Sequence, residues 1–228
     1  VELVHNFSLV HDDIQDNDRE RRGRPTVWSI WGKPQAINVG TAMRVLASIT
    51  LLRLAEQGIP IQKQLRAQHL LDEGCLRIIE GQYLDISYET RLDVEVADYL
   101  EMVGKKTAAL IGCSLELGAL LSTDDESLVG CFRNFGRNLG LAFQIRDDVL
   151  GIWGDEDKTG KPLGSDIQRK KKSLPVVYAL EKAEGEAKTE LVTVYQGKTI
   201  DNNGLDTVLR ILHSVQAQVQ AQSMAEEY

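Results

Sequence analysis

Apolar residues recur along this chain at intervals of three and four, and no convincing run of strict alternation interrupts them. That is the period of a helix and not of a half-buried strand, so the fold class read from the pattern is all-α. Helices are predicted over 1–16, 34–57, 62–88, 94–121, 125–153, 174–183 and 204–226. Gly58-Ile59-Pro60 stops the second, Asp93 caps the fourth, and Ser122-Thr123-Asp124-Asp125 opens the fifth. The last presents Leu205, Val208, Leu209, Leu212, Val215 and Val219 on one side, which is ordinary packing. Residues 154–173, rich in charge and glycine, break the pattern and are expected to form a long active loop. No Pro/Gly/Ser linker divides the 228 residues, so 1–228 reads as a single domain. Val1 already lies inside a periodic apolar segment with no cap before it, which predicts an N-terminally incomplete domain whose leading helices lie upstream.

Composition narrows the partners. A net charge of -8 argues against a nucleic-acid partner, which calls for a basic surface. Cys75, Cys113 and Cys131 are odd in number and widely separated, as expected of free thiols in a reducing, cytoplasmic setting. No secretory leader pattern opens the sequence. The apolar stretch 108–121 is too short to span a membrane and contains Glu116, so no membrane span is expected.

The candidate chemistry lies in two acidic clusters. Asp12, Asp13 and Asp16 form Asp-Asp-x-x-Asp within a helical run, and Asp147 and Asp148 recur in Phe143-Gln144-Ile145-Arg146-Asp147-Asp148. At about 100° per residue, Asp12 and Asp16 share one helix face with Asp13 on its flank. Neighbouring carboxylates repel, and a hard divalent ion such as Mg²⁺ offsets that repulsion. The pattern suggests a shared metal cage. Arg19, Arg21, Arg22 and Arg24 follow the first cluster, and Lys158, Lys161, Arg169, Lys170, Lys171 and Lys172 follow the second. An acidic cage with a basic rim suits a polyphosphate, whose remaining oxygens Arg and Lys can bind.

Taken with Arg21-Arg22-Gly23, Glu80-Gly81-Gln82-Tyr83-Leu84-Asp85 and Lys105-Lys106-Thr107-Ala108, these clusters resemble the trans-isoprenyl diphosphate synthases, or polyprenyl synthetases. The resemblance implies a helical bundle around a central cavity, a homodimer, and Mg²⁺. It implies head-to-tail condensation of isopentenyl diphosphate with an allylic prenyl diphosphate, through metal-assisted ionisation of the allylic carbon–oxygen bond. By the same resemblance Asp12 and Asp16 bind the metal with Asp13 in support, Asp147 binds a further ion, and Asp148 assists. Arg21 matches a contact to the allylic diphosphate, and Arg22 one to isopentenyl diphosphate. Lys106 and Thr107 match a helix-break pair that holds diphosphate near the cation, and Gln144 an orienting amide. Gln82 and Asp85 match a cavity-lining motif, although Gln82 reads equally as a satisfied interhelical amide. Lys161 and Lys171 match late diphosphate contacts, with the rest of the 170–172 run expected to be solvated.

Three departures from the family pattern bear on activity. Gly151 stands where the second motif has its last Asp, with Asp155 either a water-mediated metal contact or a loop cap. The upstream Gly-Lys-Arg motif is not in this sequence, so isopentenyl diphosphate is expected to bind this chain less well than the allylic substrate. Phe7 and Ser8 lie five and four residues before Asp12. Phe7 resembles a floor that ends elongation, or is simply core; Ser8 leaves one side open, favouring geranylgeranyl over farnesyl diphosphate. A class I terpene cyclase is an alternative, but an aromatic content of 6% and the Phe-Gln-x-x-Asp-Asp motif favour elongation. A catalytically weak regulatory subunit is a further alternative.

Overall fold

Long amphipathic repeats build this protein almost entirely from helices, and the expected all-α class is observed. The computed structural model describes residues 1–154 and 163–228. These fall into two compact units, Val1–Gln82 with Ala109–Gly136, and Tyr83–Ala108 with Arg137–Tyr228.

In the first unit, α1 (Glu2–Gln15) packs along α3 (Lys33–Leu52). Val4, Phe7, Ala47, Ala67, Leu71, Leu117 and Val129 form its core. The bare Gly40 of α3 seats the His11 ring of α1, since a Cβ there would stand 2.5 Å from His11 Cδ2. Arg44 fastens α3 further: its guanidinium donates to Asp72, to Ser48 Oγ at 2.6 Å and to Cys75 Sγ at 3.0 Å. The opposite side of α3 is apolar and exposed, with Val45, Ile49 and Leu52 on one face. Residues 33–57 are thereby long and apolar enough to cross a membrane by length and composition. A short hairpin follows α1, pairing Glu20–Arg21 with Arg24–Pro25. Its turn residues Arg22 and Gly23 both have positive φ, 52° and 69°, as a two-residue hairpin turn requires. A one-and-a-half-turn helix, α2 (Val27–Trp31), leads into α3.

The prediction over 62–88 closely matches α4 (Ile61–Tyr88), and that over 125–153 matches α7 (Glu126–Trp153). The single helix expected over 94–121 is instead three pieces: α5 (Val96–Val103), a π-helical segment (Gly104–Ala108) and α6 (Ala109–Ser122). A π segment widens the helix by one residue per turn and is often found at functional positions. In the second unit it lies against Gly140 of α7, where a Cβ would meet Ala108 Cα at 2.5 Å.

Beyond α7, the second unit contains helices Ser165–Gln168, Leu174–Lys182, Gly185–Gln196, Asn202–Ser214 and Ala217–Glu227. The expected helix 204–226 is thus divided, at Gln216, whose φ of 56° is left-handed. Helix Gly185–Gln196 escaped the pattern because it buries only Leu191 and Tyr195. Two apolar clusters hold this unit, one around Ile152, Ile167, Leu180 and Ile211, the other around Tyr99, Val103, Ile145 and Leu174.

Candidate active site

In the first unit, the three aspartates of α1 have different surroundings. Asp13 points inward and is 4% exposed, whereas Asp16 is exposed and caps the helix, donating its N–H to Asp12 O at 2.8 Å. Arg21, carried by the hairpin, donates Nε to Asp13 Oδ1 at 2.7 Å and Nη2 to Asp12 Oδ2 at 3.4 Å. Burial raises the Asp13 carboxyl above its ordinary value, against the opposing pull of the Arg21 guanidinium. Arg22 sits at the hairpin tip, exposed. The sequence therefore separates two adjacent arginines, one turned onto carboxylates and one at an exposed turn.

Lower on α1, Phe7 is 7% exposed and belongs to the core, with the His11 ring edge-on at 4.9 Å. Ser8 Oγ donates to His5 O at 2.8 Å, so its hydroxyl is turned onto its own helix. Gln82 donates Nε2 to Gln15 Oε1 at 3.0 Å while its buried Oε1 has no partner among the described residues. The satisfied interhelical amide that was one reading of Gln82 is thus only half satisfied.

In the second unit, the π segment presents Lys106 and Thr107. Lys106 Nζ meets Asp85 Oδ2 at 2.5 Å, and Thr107 Oγ1 donates to Gln144 Oε1 at 2.9 Å. Gln144 in turn donates Nε2 to Asp148 Oδ1 at 3.1 Å. Asp148 is fully buried and takes three further donors: Tyr99 Oη at 2.6 Å, the Leu174 N–H at 2.9 Å and Lys171 Nζ at 2.8 Å. Each oxygen thus accepts two bonds, which fills the usual lone-pair capacity of a carboxylate. Asp147, one residue earlier on α7, is exposed. Both acidic motifs share one arrangement: an inner aspartate holds a cation and an outer one faces out.

Burial alone would lower the Lys171 ammonium, but Asp148 and Asp166 together raise it above the ordinary lysine value. Asp166 was not singled out in the sequence; the available signal is a lone acidic residue five positions before Lys171 in a basic segment. Tyr99 was missed as well, being one aromatic among the core positions of α5. The expectation of a solvated lysine run is overturned. Lys170 Nζ donates to the backbone carbonyls of Tyr195 and Gly197. Lys172 is 5% exposed, donates to Glu89 O at 3.2 Å and lies over the Tyr195 ring at 4.8 Å. Backbone carbonyls left open at the end of helix Gly185–Gln196 attract the first lysine, and an aromatic face the last. Asp155 and Lys161 lie outside the described residues.

Among the described residues, no three His, Cys, Asp or Glu side chains gather closely enough to hold a metal by themselves. Hard carboxylate oxygens in smaller number still fit Mg²⁺, which is commonly completed by water and substrate oxygens.

Residues 1–212 match the polyprenyl synthetase family. The chain belongs to that family. Within it, the chain is 48% identical over 196 residues to a geranylgeranyl diphosphate synthase of Mycobacterium tuberculosis, covering 86% of this chain and 55% of the relative. It therefore spans little more than half the length of that curated relative. A polyprenyl synthetase structure from Streptomyces coelicolor superposes with a TM-score of 0.90 at 40% identity, covering 99% of this chain and 67% of the other. A geranylgeranyl pyrophosphate synthase of Corynebacterium glutamicum, in complex with isoprenyl diphosphate and magnesium, superposes with a TM-score of 0.83 at 27% identity. That match covers 99% of this chain and 68% of the other. The all-α fold is the fold of the family, and the family works with divalent metal ions.

Proposed function

We propose that this protein is a trans-prenyltransferase that joins isopentenyl diphosphate head-to-tail to an allylic prenyl diphosphate, with 1–228 acting as one domain. The observation that carries the reading is the repeated arrangement of the acidic motifs, with Arg21 held on Asp13 and Lys171 held on Asp148. Each places a fixed cation beside outward carboxylates, as a metal-bound diphosphate requires.

In this reading Asp12 and Asp16 hold Mg²⁺ on the allylic diphosphate, and Asp147 a further ion, with Asp155 in reserve. When bound, the metal draws off the negative charge that grows on the leaving oxygens. Arg21, Lys106, Thr107, Lys161 and Lys171 bind diphosphate oxygens, and Arg22 those of isopentenyl diphosphate. Gln144 orients the reacting end, and Gln82 and Asp85 line the substrate path. Asp13 and Asp148, already engaged by protein donors, are anchors that fix the cations. Phe7 and Ser8 limit product length, with geranylgeranyl diphosphate favoured over farnesyl diphosphate, in keeping with the name of the Mycobacterium relative.

The exposed face of Val45, Ile49 and Leu52 supports a homodimer, a second copy giving these side chains an apolar partner. A cytoplasmic setting is supported by three cysteines that form no disulfide. The deciding experiment incubates the protein with Mg²⁺, isopentenyl diphosphate and separate allylic primers, then analyses the products. Elongated diphosphates are expected; cyclic hydrocarbons would instead identify a terpene cyclase, and no product a regulatory subunit.

A further inference from the structure

Position 151 carries no side chain, and a carboxylate from later in the chain lies on it. A Cβ built on Gly151 would stand 2.6 Å from Asp166 Cγ and 3.0 Å from its Oδ1, well inside contact distance. The backbone around Asp166 is fastened to the same end of α7. Ser165 Oγ donates to Gly151 O at 3.3 Å, and the Gly164 N–H donates to Ile152 O at 3.0 Å. Asp166 is only 6% exposed, so its charge calls for a partner. That partner is Lys171, whose Nζ lies 3.4 Å from Asp166 Oδ2 and whose N–H donates to Asp166 O at 2.9 Å. The same ammonium donates to Asp148 Oδ1 at 2.8 Å. One lysine is shared between a carboxylate of α7 and a carboxylate of the segment that follows.

Gly151 stands where the family pattern has a third aspartate. We propose that Asp166 is a positioning residue that takes over the place of that carboxylate: seated on the bare Gly151, it holds Lys171 jointly with Asp148. A lysine fixed from two sides loses its freedom before the ligand arrives, so less is lost when it binds. Gly151 is then a requirement of Asp166, because any side chain there displaces the carboxylate. The proposal rests on the reading of Lys171 as a diphosphate contact.

Two measurements on the whole chain test it. Replacing a helical glycine by alanine ordinarily stabilises. Here Gly151→Ala lowers the melting temperature by several degrees with Asp166 present, and raises it in an Asp166→Gly background. The same sign in both backgrounds overturns the seat. The second measurement is calorimetric binding of inorganic diphosphate with Mg²⁺. Asp166→Asn weakens binding about tenfold, the scale typical of residues that orient a contacting group. In a Lys171→Met background the further change is within about twofold, because the two residues act as one unit. Gly151→Asp combined with Asp166→Ala returns binding to within about threefold of the natural chain, the carboxylate having moved rather than vanished. Undiminished binding by Asp166→Asn, full additivity with Lys171→Met, or no recovery in the relocated variant overturns the positioning role. Failure of the natural chain to bind Mg²⁺ and diphosphate counts against the prenyltransferase reading instead, and the melting pair still decides the seat of Asp166.

Discussion

The Thr107 hydroxyl donates to Gln144 Oε1 at 2.9 Å, and this settles which end of the amide faces Asp148. With its oxygen engaged, Gln144 can only donate to Asp148, which it does at 3.1 Å. Thr107→Val removes the donor and lets the amide turn. Turnover is expected to fall about tenfold, as when the partner of a site residue is lost. Gln144→Glu places a carboxylate against Asp148 and lowers it further, since two such groups repel. Steady-state kinetics on both variants check this, with circular dichroism confirming unchanged helicity.

Asp147 and Asp148 are neighbours in sequence with opposite exposure, and their variants are expected to separate accordingly. Asp148→Asn removes the charge of a fully buried carboxylate from a partly exposed lysine and is expected to cost about 1–3 kcal/mol of stability. Asp147→Asn, at an exposed position, is expected to leave stability within about 0.5 kcal/mol while weakening Mg²⁺-dependent diphosphate binding. Chemical denaturation and calorimetry read the two effects. Equal loss of stability in both would remove the distinction between anchor and ligand.

Phe7 is a core residue to which the proposed function adds a limit on product length. Its ring belongs to the core with Val4 and Leu71, so Phe7→Ala is expected to cost about 3–5 kcal/mol. Phe7→Leu keeps most of the packing and is the cleaner probe. Both are expected to shift products toward longer chains, seen by chromatography of the dephosphorylated alcohols. An unchanged distribution from the leucine variant would leave Phe7 as core alone.

Gly140 of α7 lies against Ala108, the last residue of the π segment. Gly140→Ala would press its methyl against the backbone of Ala108, which cannot swing aside as a side chain can. An overpacking cost of about 1–3 kcal/mol is expected, with a larger relative loss in turnover because Lys106 and Thr107 are carried by the displaced segment. Thermal unfolding alongside kinetics tests whether activity falls further than stability explains.

Lys172 gives the molecule a characteristic pH response. Burial lowers its ammonium from the ordinary 10.5 to about 8. Between those values the unfolded chain holds more of this proton than the folded one, so this group's contribution to stability rises with pH. The buried thiols Cys75 and Cys113 act in the opposite sense, burial raising both, Cys113 to about 11. The readout is therefore the difference between the natural chain and Lys172→Met. The variant is expected to be the more stable at pH 7, with the gap closing between pH 8 and 10.5, in denaturation curves taken across that range. A constant gap would show that Lys172 keeps an ordinary pKa.

The long helices were legible because α4 and α7 each run for 28 residues with apolar positions recurring at helical spacing. Helix Gly185–Gln196 was not, since a helix with two buried residues has no stripe to read. The ion pairs of Arg21 with Asp12 and Asp13 were not foreseen, although the motif residues were legible as types. Their division into inner and outer members was not, because adjacent aspartates look alike until packing turns one inward. The lysines failed for a related reason: a run of charge predicts solvation only where no open carbonyl or ring lies within reach of the side chain. Asp166 could not be inferred at all without the packing that sets its carboxylate on Gly151.

The Arg21 bridge also sets an electrostatic count for the first motif. Three carboxylates, Asp12, Asp13 and Asp16, less one guanidinium leave two negative charges. In the proposed reading one divalent cation matches that formal remainder. Under the proposed function a further ion is matched in charge by the diphosphate, so metal loading here becomes a consequence of substrate capture.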